Sequence, residues 1–399
     1  MDQNPRLECQ LAAVVVAIVM AASATLGTCR GRPSVSGIHG EGMMDSGFLR
    51  FRGDVTLAIL LVACCEAAAS APVRPGHDLV TEEFKVSSDS GIDIFVRNKH
   101  PSAMTTFDAS RTVLFIHGAT GPSESTFDLG LGGFSWMDFI ADDGYDVYFM
   151  DVRGFGRSTR PPQMSLPPSE SAPVATTEEA VRDLGAVVDF IKHRRRIDRL
   201  NVLAWSWGTF IAQWYATTHP DSVHKLVLYG PLWIRRMPSI ALPTPRQFGA
   251  YRSITAAELK ADVLTGVPED KKADLIPEGW LDAWTSAQLD TDPEGWQRNP
   301  PAFRAPNGGI YDVLRYQSGA PLPFDARDIH VPVLLIKAEW DTVTPSDMAQ
   351  SLFARLVHSP AKRYVELGEG THTVDREKNR MMLFREVQCF LDEPIRPRK

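Results

Sequence analysis

Leu200-Asn201-Val202-Leu203-Ala204-Trp205-Ser206-Trp207-Gly208-Thr209 is the stretch on which the reading of this chain turns. A short apolar run leads to a serine between two tryptophans, then to Gly208 and a helical pattern through Phe210, Ile211, Trp214 and Tyr215. The pattern predicts a buried strand that turns sharply into a helix, with Ser206 at the turn. A serine held at such an elbow is strained, and its flanking positions must be small enough for strand and helix to pass closely. The usual form is Gly-x-Ser-x-Gly. Here Ala204 takes the place of the first glycine, and alanine still fits a close approach.

The chain supplies partners for that serine, in order. A serine hydroxyl is a poor nucleophile until a base takes its proton, and the base needs a third group to fix its tautomer. A continuous apolar run at 112–116 and apolar-rich runs at 146–150, 200–203, 225–229, 333–336 and 363–365 read as strands of a mostly parallel sheet. Their C-terminal ends open on one edge, where residues far apart in sequence can meet. Ser206 follows one such strand, Asp341 the next strong strand after a long interruption, and His372 the last. Ser, Asp, His is the chain order expected for a nucleophile elbow on such a sheet. Glu339 is the substitute acid, and His330 and His358 are the competing histidines, both where solvated histidines are common. Ser222-x-x-Lys225 has Ser–Lys spacing but lies in a turn before a strand. Gly130-x-Gly132-Gly133 follows no strand and is no dinucleotide fingerprint.

On these residues the chain resembles the α/β hydrolases, in particular the large capped group of esterases, C–C bond hydrolases and proline iminopeptidases. The resemblance covers about residues 83–392. His117-Gly118 is similar to that family's oxyanion loop, and Asp151-x-Arg-Gly-x-Gly-x-Ser to the turn after the following strand. It implies an α/β-hydrolase fold, with helices on both faces of the sheet and an inserted helical cap. It also implies that the backbone N–H groups of Ala119 and Trp207 form an oxyanion hole. A serine at 206 separates the chain from dehalogenases and epoxide hydrolases, which use Asp there. Trp207 gives the Ser-Trp-Gly of proline iminopeptidases, but Ala204 departs from their glycines.

The expected organisation is an export region at 1–71, a first core part at 72–230, a cap at 231–324 and a second core part at 325–399. In the core, alternating patterns at 83–87 and 93–97 read as a hairpin around Ser90-Gly91. Thr176-x-x-Glu179 reads as a capping box opening a helix to about Lys192. The basic run Lys192-His193-Arg194-Arg195-Arg196 reads as a solvated last turn favoured by the helix dipole. A helix is predicted at 136–142 and a closing one at 376–390. The cap interval is rich in Pro and Trp and shows no convincing strand.

At 399 residues with 44% hydrophobic and 23% charged residues the composition is that of ordinary globular protein. A net charge of −7 argues against nucleic acid as a partner. Apolar segments at 11–22 and 55–65 are each short for a membrane span and end in small residues that a signal peptidase accepts. Met43-Met44 precedes the second, so translation is expected to start there and that segment to direct export, to a periplasmic or extracellular location. Leu61-Val62-Ala63-Cys64 resembles the bacterial lipobox, which would make the protein a lipoprotein anchored through Cys64. Removal of the leader would leave Cys389 as the single cysteine, excluding an internal disulfide; it is expected on the apolar face of the last helix.

The functional expectation is an exported serine hydrolase acting on small-molecule carboxylic esters. Ser206, Asp341 and His372 are its triad, and Ala119 and Trp207 its oxyanion hole. His117, Trp205 and Trp233 are candidate pocket residues, suited to an apolar or aromatic group. No Cys or His cluster has metal-ligand spacing, and no cofactor is needed. The alternatives are an amide or peptide hydrolase of the iminopeptidase kind, with Glu258 or Glu278 to hold a free amine, and a non-catalytic ligand-binding relative. Oligomeric state has no signature in the sequence.

Overall fold

The computed structural model describes residues 78–395 apart from 236 and 238–241. The export segments, the start at Met43 or Met44 and the lipobox cysteine lie outside the described residues. Within them, no helix is long and apolar enough to cross a membrane.

The chain opens with β1 (Leu79–Ser87) and β2 (Asp93–Pro101), an antiparallel hairpin longer at both outer ends than its alternation predicts. Then come β3 (Thr112–Ile116), α1 (Trp136–Asp142), β4 (Asp146–Met150), α2 (Thr177–Arg195) and β5 (Leu200–Trp205). The helix α3 (Trp207–Thr218) and β6 (Val223–Tyr229) follow. A long insertion carries β7 (Tyr251–Thr255), α4 (Ala256–Val263), α5 (Trp280–Asp290), β8 (Ala302–Pro306) and α6 (Gly308–Gln317). The chain finishes with β9 (Val333–Ala338), α7 (Ser346–Arg355), β10 (Lys362–Leu367) and α8 (Arg380–Asp392).

Eight strands form one sheet in the order β1-β2-β4-β3-β5-β6-β9-β10. The pairs from β4 through β10 are parallel; β2 joins β4 antiparallel. Alternate residues of each central strand feed opposite faces, because strand side chains alternate. Leu114, Ile116, Val202 and Ala204 face a core built with α2, α3 and α7. Val113, Phe115, Leu203 and Trp205 face a second core built with α1 and α8. That double burial is why these strands read as unbroken apolar runs.

Local signals explain several boundaries. Thr176 accepts from the Glu179 N–H while Glu179 returns a bond to the Thr176 N–H, closing the capping box that starts α2. Ser135 and Asp138 do the same for α1. At the other end of α2 the basic run is not simply solvated. Arg195 is drawn inward onto Asp146 and Asn98, and Arg194 pairs with Glu82. Lys225, read with Ser222 as a chance match, places its ammonium on the carbonyls of Phe390, Leu391 and Glu393 and so caps the end of α8.

Three expectations are corrected. The insertion is not strand-free, since β7 and β8 pair antiparallel from Tyr251↔Pro306 to Thr255↔Ala302. The closing helix begins at Arg380, after a separate turn at Val374–Arg376. Cys389 is exposed, because α8 buries Val387, Gln388, Phe390 and Leu391 instead.

Candidate active site

Ser206 sits between the end of β5 and the first residue of α3 with φ 56° and ψ −124°, a conformation rare for a residue with a side chain. Its N–H donates to Tyr229 O on the neighbouring strand, fixing the turn to the sheet. Gly208 is required there: a Cβ on it would lie 2.6 Å from the carbonyl oxygens of both Ile116 and His117. Ala204 is fully buried between Ile116 of β3 and Leu228 of β6, and its methyl group fits without breaking either pairing.

His372 and Asp341 are brought together from the ends of β10 and β9. His372 Nδ1 lies 2.8 Å from Asp341 Oδ2. The other carboxylate oxygen accepts from the Val343 and Thr344 N–H groups, and the Thr344 hydroxyl donates to Oδ2 at 2.6 Å. Burial would raise the Asp341 carboxyl, but the His372 ring and the Thr344 donors outweigh it and hold the group below its ordinary range. Glu339, the substitute acid, accepts the Glu369 N–H instead. Of the competing histidines, His330 and His358 stack on each other.

Three residues hold His372, through its ring and its backbone carbonyl. Trp205 packs against it with ring centroids 5.2 Å apart and donates its Nε1–H to His372 O at 3.0 Å. The Tyr229 hydroxyl lies 2.9 Å from the same carbonyl. Gly230 lies against the ring, where a Cβ would approach His372 Cε1 to 2.9 Å. Nε2 is left buried and without a hydrogen-bond partner among the described residues.

His117 is fully buried, and both ring nitrogens are occupied. Nε2 accepts the Val152 N–H at 2.9 Å, so Nδ1 carries the proton and donates to Gly118 O at 2.6 Å. Burial pushes this imidazole down to about 4. His117 therefore orients the loop and lines no pocket, a correction to its candidate place. Ala119 and Thr120, next in that loop, are partly exposed. Trp207 is the first residue of α3, where backbone N–H groups have no partner inside the helix. Its indole donates to Thr177 Oγ1 and packs on Gly309 of α6. Trp233 is also a core residue, with ring contacts to Phe324 and the Arg355 guanidinium.

Two arginines that the sequence did not single out stand close by. Arg252, on β7, donates to Ala119 O at 2.8 Å and Pro306 O at 3.0 Å. Burial lowers it to about 10, with Asp262 the one opposing charge acting on it. Asp262 is exposed by surface area yet its carboxyl is raised by burial; the exposed side chain gives only weak compensation. Arg376, in the turn after His372, lies over the Trp205 ring at 4.9 Å and the Trp284 ring at 4.5 Å. Nothing in the local sequence distinguishes either from a surface arginine.

The comparisons agree with this architecture. A family model described as the alpha/beta hydrolase fold matches residues 111–262. The chain has the α/β-hydrolase fold. Over 264 residues, 60% of this chain and 77% of the relative, it is 24% identical to a proline iminopeptidase of Neisseria meningitidis. Among solved structures it is similar to a thermophilic esterase from Thermogutta terrifontis, with 15% identity and a TM-score of 0.50 over 78% of this chain and 98% of that one. It is equally similar to a mutant epoxide hydrolase from Solanum tuberosum, with 18% identity and a TM-score of 0.51 over 78% and 99%. At such identities the structures speak for the fold alone.

Proposed function

We propose that this α/β hydrolase cleaves carboxylic esters through an acyl-enzyme on Ser206. The observation that carries the reading is the 2.8 Å contact between His372 Nδ1 and buried Asp341, which leaves Nε2 unpartnered on a ring packed against Trp205, the residue before the strained Ser206 turn. In this scheme Ser206 Oγ attacks the ester carbonyl carbon and His372 Nε2 takes its proton. The tetrahedral oxyanion is met by the Ala119 and Trp207 N–H groups, each such donor being worth about 3–4 kcal/mol of barrier. His372 then protonates the departing alkoxide, and a water, deprotonated by the same nitrogen, releases the acid. No step calls on a metal or organic cofactor. The export and lipid-anchor expectations belong to the same proposal, as an esterase placed outside the cytoplasm.

The 24% identity to a proline iminopeptidase favours a second reading, in which the same groups cleave an amide after a free amine. That amine would need a carboxylate. Glu258 accepts the Thr255 N–H and hydroxyl as the cap of α4, and Glu278 is exposed, so neither supports the reading. A ligand-binding relative without turnover is the third.

The test is p-nitrophenyl ester turnover across acyl lengths beside Ser206→Ala. The expected result is a loss of about 10⁴-fold or more in kcat with an unchanged circular dichroism spectrum. Turnover of prolyl anilides in preference to every ester would transfer the proposal to the amide reading. Absence of all turnover would leave ligand binding.

A further inference from the structure

Buried polar groups in folded proteins are nearly always hydrogen-bonded, and a cluster of exceptions calls for an explanation. Such a cluster runs along one side of the candidate site. Arg376 is 3% exposed, yet only its Nη2 is engaged, on Asp375; Nε and Nη1 have no partner. Trp284, whose ring stacks on that guanidinium, has an unpartnered indole N–H. One turn along α5, Gln288 is 1% exposed with its Oε1 unpartnered.

These groups adjoin the reacting centre by a continuous chain of contacts. Trp205, on the other side of Arg376, precedes Ser206 and touches His372. The Gln288 amide presses on the loop that carries Ala119, since a Cβ at Gly121 would lie 2.2 Å from both its polar atoms. Asp375 does not satisfy the cluster, because its carboxylate is shared with the Tyr229 hydroxyl and reaches only Nη2. The unpartnered set therefore offers three donors, on Arg376 Nε and Nη1 and Trp284 Nε1, against two acceptors, Gln288 Oε1 and Asp375 Oδ2. Flanked by two indole faces, the guanidinium is held flat and shielded from water. Arg252, with no carboxylate within ion-pair distance among the described residues, adds positive charge at the same loop.

We propose that Arg376, Trp284 and Gln288 form a subsite for a carboxylate borne by the substrate, so that the ester cleaved is a half-ester of a dicarboxylic acid. The geometry behind this is the set of unpartnered buried donors between cap and core beside Ser206 and His372. Asp375 already balances the charge of Arg376, and what a substrate carboxylate supplies is acceptors for the N–H groups that Asp375 does not reach. An ammonium group has no acceptor to offer the three N–H groups of Arg376 and Trp284, which is why the proposal turns away from substrates with a free amine. It rests on the esterase reading for the ester bond, and on the subsite geometry for the carboxylate.

The experiment is calorimetric titration of the full chain carrying Ser206→Ala, which prevents hydrolysis, with monomethyl glutarate and with the neutral dimethyl glutarate at pH 7.5. The half-ester is expected to bind at least tenfold tighter than the diester. Adding Arg376→Met should bring the ratio to about one, and Trp284→Phe, which keeps the ring but removes the donor, should reduce it severalfold. Equal affinities, no binding of the half-ester, or a preference that survives both substitutions would overturn the subsite. Wild-type turnover of the two esters separates the claims. Selective binding without hydrolysis would remove the esterase reading and leave the carboxylate subsite standing.

Discussion

At the scale of single residues, the candidate chemistry rests on how His372 is held. Asp341 keeps the proton on Nδ1 and leaves Nε2 as the basic nitrogen, and its own orientation is fixed by three donors from 343 and 344. Asp341→Asn should retain the bonds to the Val343 and Thr344 N–H groups while presenting an amide N–H to the ring, which favours the wrong tautomer. The expected outcome is a fall in kcat of about 10⁴-fold with the thermal midpoint nearly unchanged. Steady-state ester turnover from pH 6 to 10 beside a melting curve checks it, and a kcat within tenfold of wild type would refute the assigned role. The positions of Ser206, Asp341 and His372 were legible because each lies in the connection just after a parallel strand, and those strand ends share one edge. His117 and Trp233 were misread as pocket residues for a matching reason. Whether an aromatic group lines a cavity or fills a core depends on what the rest of the chain packs against it.

At the scale of elements, the sheet and its flanking helices were legible and the inserted cap was not. β3 and β5 are buried on both faces and announce themselves as apolar runs. β7 is half-exposed and mixed in character, and β8 ends in Pro306 and carries Arg304, buried only because Asp292 neutralises it with paired contacts at 2.8 and 2.7 Å. No alternation marks such strands, since an ion pair stands where an apolar residue would. The pairing matters because β7 carries Arg252 to Ala119 O and so ties the cap to the loop that holds the proposed oxyanion donor. Arg252→Met should loosen that loop and lower kcat by roughly ten- to a hundredfold, less than the roughly 10²–10³-fold cost of deleting an oxyanion donor outright, with KM for a neutral ester changed less than threefold. A fluorophosphonate titration of active sites would count the correctly folded enzyme. If kcat per titrated site equals that of wild type, Arg252 is merely structural.

At the scale of the whole molecule, stability should depend on pH through groups buried where water cannot relax them. Burial lowers the His117 pKa from an ordinary 6.5 to about 4, and the Val152 N–H donates to the bare Nε2 of the neutral ring. Between these values the unfolded chain binds a proton that the folded chain refuses. The stability from this group is thus fully present above 6.5 and is lost as pH falls through about 4. The full difference corresponds to about 3 kcal/mol. Asp151 and Glu377 act in the opposite sense, because burial raises each to about 7 and the folded form takes up protons first as pH drops. The wild-type curve therefore mixes contributions of both signs and isolates none. His117→Gln removes one of them. The variant should be the less stable at pH 7, having lost a bond to Val152 or Gly118, and the gap should shrink by up to about 3 kcal/mol by pH 4 as the wild-type imidazole is forced to charge. Urea unfolding of both proteins at pH 7, 5.5 and 4 measures the gap directly, with the carboxylate contributions common to the two. Parallel curves would mean that His117 accepts its second proton inside the folded protein, and that the loop it orients tolerates losing the Val152 bond.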